Sequence, residues 1–128
     1  MNRAGLKERI GAIEESYEFF LAFAAQGVSG DAAARHDLQL REFLQITERA
    51  MSAVGDELGG LVELENLDPP EAYEPMIAVA REDARKAAAA VRLVQAQPAI
   101  TSELIDNLNA SIHVRALLTD LFLLDEVL

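Results

Sequence analysis

Residues 101–128, TSELIDNLNASIHVRALLTDLFLLDEVL, form the longest unbroken helical pattern in the chain, with more apolar residues than a surface helix needs. With Leu108 as reference and about 100° per residue, Leu104, Leu108, Ser111, Arg115, Leu118 and Phe122 line one stripe, flanked by Ile105 and Ile112. The opposite side carries Asp106, Asn109 and His113 in its first half. From Leu117 onward the same side becomes Leu117, Leu121, Leu124 and Leu128. As one helix, the stretch is one-sided first and then apolar nearly all round, so its second half needs cover on more than one side.

Thr101 is placed to cap this helix, with Ile100 and Ile105 as a hydrophobic staple and Glu103 at the positive end of the dipole. Three more helical patterns precede it. Over residues 3–26, Leu6, Ile10, Ile13, Tyr17, Phe20 and Ala24 repeat at spacings of four and three, and Phe19, Leu21 and Phe23 widen the face. Gly27 suits the residue after this helix, and Ser29 or Asp31 can cap the next. Over residues 31–58 the seam is Leu40, Leu44, Thr47, Met51, Val54 and Leu58, with Gly59 and Gly60 ending it. Residues 61–67 fit either one or two further helical turns or a loop.

Asp68-Pro69-Pro70-Glu71 predicts a helix start, with Asp68 as N-cap, Pro69 at the first helical position and Glu71 reaching back. Pro75 falls inside this helix, so a kink or break is expected around Tyr73 to Pro75. Ile77, Ala80, Ala84, Ala87, Val91 and Val94 continue the seam to residue 97, and the alanines permit close approach of a neighbour. Four helices at about 3–26, 31–58, 69–97 and 101–127 predict an all-α, up-down-up-down antiparallel four-helix bundle with a proline-kinked third helix.

At 128 residues the chain fits a single domain with a real core. Its formal charge of -11 disfavours binding to nucleic acid, which needs clustered Lys and Arg. No apolar run reaches the ~20 residues of a membrane span; the leucine-rich end is interrupted by Thr119, Asp120, Asp125 and Glu126. The opening residues run directly into an amphipathic pattern without a signal-peptide core, so a cytoplasmic protein is expected. Arginine and alanine are abundant and Lys7 and Lys86 are the only lysines, a composition suited to a GC-rich bacterial genome.

Without cysteine the chain has no disulfide, thiolate nucleophile or Cys-ligated metal. A carboxylate-bridged metal bundle needs Glu-x-x-His pairs, but Ala33 and Ala110 stand three residues before His36 and His113. Glu14, Glu15 and Glu18 lie opposite the first seam, facing solvent. The His-x-x-Lys-Gly pattern of phosphotransfer modules fits neither histidine, and no phosphate loop, serine-nucleophile motif or zinc spacing occurs. No cofactor or metal is expected.

Arg115 stands in the leucine stripe, where a guanidinium must find a carboxylate across a helix interface. Arg81, Arg85 and Arg92 form a basic strip expected to face Glu14 and Glu18 of the first helix or another protomer. Asp106, Asn109, His113 and Arg115 are the candidates for a small polar site. Leu117, Leu121, Leu124 and Leu128, uncovered on the far side, are the candidates for an interface. The function these features favour is a small acidic helical interaction protein, an adaptor, regulator or accessory factor, homodimeric through its C-terminal helix or bound to another protein. The alternatives are a ligand-binding or enzymatic bundle with its pocket near Asp106, His113 and Arg115, and a component of a larger assembly.

Overall fold

A computed structural model describes the backbone of residues 2–26 and 31–128 and the side chains of residues 2–25 and 37–128. All regular structure among the described residues is helical: α1 (Arg3–Gln26), α2 (Asp31–Glu57), α3 (Leu61–Leu64), α4 (Pro70–Gln95), α5 (Ser102–Ala110) and α6 (Ile112–Val127). A 3-10 turn at Leu58–Gly60 joins α2 to α3. The expected turn through Gly27 and Ser29, the capping side chain of Asp31 and the side chain of His36 lie outside the described residues.

The three uninterrupted seams behave as their spacing predicts. Leu6, Ile10, Ile13 and Phe20 of α1 are buried and Tyr17 and Ala24 partly so; the five seam residues within α2, Leu58 in the 3-10 turn after it, and all six of α4 are buried. Phe23 joins that core, whereas Leu21 turns to solvent. Phe19 of α1 stacks on Phe43 of α2 with ring centroids 4.3 Å apart. Packing runs from α1 to α2, α2 to α4, α4 to α6, and back to α1 through both α5 and α6. The α2 and α4 backbones approach closely: a Cβ on Gly55 would lie 3.3 Å from that of Ala84, so the small residues set this spacing.

Leu61 to Leu64 does form one further turn, and Asn66 closes it with φ 51, the left-handed conformation that Asn tolerates at helix ends. Glu65 then accepts a bond from the Arg3 backbone N–H at 2.7 Å, tying this turn to the start of α1.

The start of α4 differs from its prediction. Pro69, not Asp68, is the N-cap, and Pro70 opens the helix. A residue before proline is pushed into extended backbone, and Pro69 at φ -78, ψ 143 adopts the geometry an N-cap requires. No break follows at Pro75; the helix is continuous through it. Pro75 forfeits one backbone bond, while seven buried residues downstream hold α4 in the core. The far end of α4 is held by Arg41 of α2, whose guanidinium donates to the carbonyls of Gln95, Gln97 and Pro98 at 3.4, 3.2 and 3.1 Å. A cation there complements the negative end of the helix dipole.

The fourth helical pattern is two helices. Thr101 caps α5 as expected, its Oγ1 accepting from the Leu104 N–H at 3.1 Å. The helix then stops at Ser111, whose ψ of 126 is extended, and α6 begins at Ile112. Before the break Ile105, Leu108 and Asn109 are buried; after it Val114, Leu117, Leu118, Asp120, Leu121 and Leu124 are. On a continuous wheel those two faces point nearly opposite ways. One extended residue re-aims the helix so that both faces meet the same core. The apolar surround read from the sequence is thus two one-sided helices joined out of phase.

Candidate interaction site

The break at Ser111 scatters the expected polar set. Asp106, His113 and Arg115 are exposed on two different helices, while Asn109 turns inward and is 4% exposed. Arg115 makes none of the ion pairs found among the described residues, correcting the expectation of a buried partner across a helix interface. Its position on the stripe followed from assuming a continuous helix.

Asn109 borders an internal cavity of about 10 Å³ with Ile13, Tyr17, Thr47 and Val114 among its neighbours. Neither its amide nitrogen nor its oxygen has a hydrogen-bond partner among the described residues. A buried, unmatched amide costs about 1–3 kcal/mol, so Asn109→Leu is expected to raise stability by that order. Chemical denaturation of the two proteins checks this; a lower midpoint for the leucine variant would mean that solvent in the cavity satisfies the amide.

The basic strip lies along α2 rather than α1. Arg81 donates through Nε to the Gly55 carbonyl at 3.0 Å, and Arg92 pairs with Glu48 at 2.8 Å. Arg85 pairs with Glu82 on its own helix, and that hydrogen bond holds the Glu82 carboxyl below its ordinary range. These arginines rim an open groove of about 530 Å³ between α2 and α4. Each guanidinium is engaged, and Asp56, Glu82 and Glu48 interleave with them, so the strip offers no concentrated positive field.

The C-terminal leucines do not form the expected exposed stripe. Leu117 and Leu121 are 0% exposed and Leu124 is 2%, all inside the chain's own core, and Leu128 packs against its edge. The cover comes from α4 and α1, because the rotation at Ser111 turns this face inward. Exposed apolar residues of α6 are instead Ile112, Phe122, Leu123 and Val127.

Two of these, Leu123 and Val127, line a groove of about 430 Å³ with Leu124 and with Ala72, Tyr73 and Met76 of α4. Every lining side chain is apolar or aromatic. Glu71 and Glu74 beside it on α4, and Glu126 on α6, are exposed, giving the groove an acidic surround.

The face that carries the groove continues to two carboxyls. On α6, Asp120, Leu123 and Val127 follow at helical spacings of three and four, and on α4, Met76 and Asp83 are seven apart. Asp120 is 8% exposed, and the Asp83 carboxyl of α4 lies near it across the helix pair. Two neighbouring carboxyls repel when both are ionised, which favours the protonated form of the more buried one. Burial first, then the neighbouring Asp83 carboxyl, push the Asp120 carboxyl up to about 7. Its buried Oδ2 receives no bond from any described donor, and neither aspartate belongs to an ion pair among the described residues.

Sequence reasoning treated Asp120 only as an interruption among leucines. The available signal was its position on the same wheel face as Leu117 and Leu124; its partner Asp83 is set by tertiary packing alone. Among the described residues no cluster of three metal-ligating side chains occurs, and no helix is long and apolar enough to cross a membrane. No protein family, curated protein or solved structure matches this chain.

Proposed function

We propose that this chain is a small acidic interaction protein of the bacterial cytoplasm, an adaptor or accessory factor that docks a basic amphipathic helix of another protein. The α4/α6 groove carries this reading: an apolar trough open to solvent between two helices is the geometry that receives the apolar face of a third. In this reading the helices form an antiparallel four-helix bundle, with α5 and α6 sharing the fourth position and the groove on its flank.

Charge selects the partner. A net charge of -11 and the exposed Glu71, Glu74 and Glu126 attract lysine and arginine at the rim. Two copies of the chain would meet groove to groove with those same carboxylates opposed, so another protein fits better than a self-pair.

A synthetic amphipathic peptide of leucine and lysine, about four turns long, tests the groove by fluorescence anisotropy at physiological salt. Leu123→Glu, at a side chain already more than half exposed, should leave the fold intact and weaken binding at least about ten-fold. Unchanged affinity would remove the groove as the docking site. Wild type that dimerises in light scattering, with Leu123→Glu monomeric, would assign the groove to a second copy.

A further inference from the structure

We propose that α5 is a hinged lid over the core, loosened by Asn109 on its underside, that opens while the remaining helices stay folded. The nearest buried residues outside this helix are Ile100 before it and Val114 after it, so the chain is anchored at both ends of the segment 101–113. Both connections to the anchors lack helical packing. Residues 96–101 form no helix, and Ser111 is extended, with Ile112 and His113 after it exposed.

Apolar contact alone holds α5 in place. Among the described residues its side chains make no hydrogen bond or ion pair to another helix, and Thr101 bonds only within the cap. By contrast, Arg9–Glu57 joins α1 to α2, Lys7–Asp125 joins α1 to α6, and Arg81 and Arg92 join α4 to α2. Ile105 and Leu108 are the apolar side chains that α5 buries, against seven buried residues of α4. A helix of nine residues does not persist once its packing is lost, so opening and melting of α5 coincide.

Asn109 works against the closed position. It is buried on the inner face beside Leu108, with both amide atoms unmatched among the described residues, and it borders the same cavity as Tyr17, Phe20, Val91 and Val114. When α5 lifts, water satisfies that amide, which offsets part of the lost burial of Ile105 and Leu108. The closed form still dominates, but opening α5 costs less than unfolding the chain. Open, the lid uncovers an apolar pocket walled by Ile13, Tyr17, Phe20 and Val91, a second apolar surface besides the α4/α6 groove.

Native-state hydrogen exchange read by mass spectrometry tests the lid. In wild type, residues 102–110 should exchange at least about ten-fold faster than the buried seams of α1, α2 and α4. Ile77, buried in α4, is roughly four turns, about 21 Å, from Val91 at the cavity. Ile77→Val should therefore speed exchange in those seams roughly two- to ten-fold and leave residues 102–110 unchanged, because a local opening does not involve it. Asn109→Leu should slow residues 102–110 at least about five-fold, since leucine gains nothing from water. Equal protection of α5 and the seams in wild type overturns the lid. If Ile77→Val speeds α5 by the same factor as α1, α5 leaves only when the whole chain unfolds, and the lid is wrong. If α5 exchanges in Asn109→Leu as fast as in wild type or faster, the amide does not loosen the closed helix and the proposal falls.

Discussion

Asp120→Asn is expected to stabilise the protein increasingly as pH rises, by about 3 kcal/mol more at about pH 8 than at about pH 5. The Asp120 carboxyl, ordinarily near 3.8, sits at about 7 in the folded chain, with burial as the main cause. A carboxyl raised by folding holds its proton more tightly folded than unfolded. Its contribution is therefore complete below the unfolded value, declines as pH rises between the two values, and is lost above the folded one. Asparagine at this position carries no titrating proton. The pH-dependent loss should vanish in the variant, with a gap in melting temperature on the order of 10 °C opening toward alkaline pH. Thermal melts of both proteins at the two pH values measure it. A gap of equal size at both would mean that Asp120 is ionised throughout and that the buried carboxyl pair holds no proton.

The second large effect is at the C-terminal leucines. Leu121→Glu/Leu124→Glu is expected to unfold the chain, whereas Leu123→Glu between them leaves it helical. Leu121 and Leu124 are in the core and Leu123 is about half exposed. Each truncated core leucine costs roughly 2–5 kcal/mol, and each glutamate adds the cost of a buried unpaired charge. Together these exceed the ~5–15 kcal/mol that holds a domain of this size. Far-UV circular dichroism separates the outcomes: loss of the helical signal and of a cooperative melt in the double variant, neither in Leu123→Glu. A double variant that stays folded and soluble would return these leucines to the surface and restore the self-association stripe that the sequence suggests.

The long seams were legible because a continuous helix carries its own phase. Once Leu40 is placed in the core, a period of 3.6 residues puts Leu44, Thr47, Met51 and Val54 there too, with no knowledge of the partner. The cap at Thr101 was equally legible, since its acceptor and donor lie three residues apart. At the start of α4 the same local logic was off by one residue, because the sequence offered two prolines and only the extended backbone of Pro69 shows which one precedes the helix.

The placement of the candidate site was not legible. Arg115, Phe122 and the Leu117 to Leu128 stripe were all positioned by carrying one phase through Ser111, and a single extended ψ there reversed it. No periodic signal marks that residue; the two helices do, each apolar on one side only when read separately. The meeting of Asp83 with Asp120, and the turn of the arginine strip toward α2 rather than α1, depend on which helices are neighbours. The sequence by itself determined an all-helical chain, the inward faces of its three uninterrupted seams and its acidity, since each follows from composition or from residues within a turn or two of one another. The tertiary structure decided the broken C-terminal helix, the fate of its leucines and the carboxyl pair beside the groove, because those depend on contacts between helices distant in sequence, which local periodicity does not record.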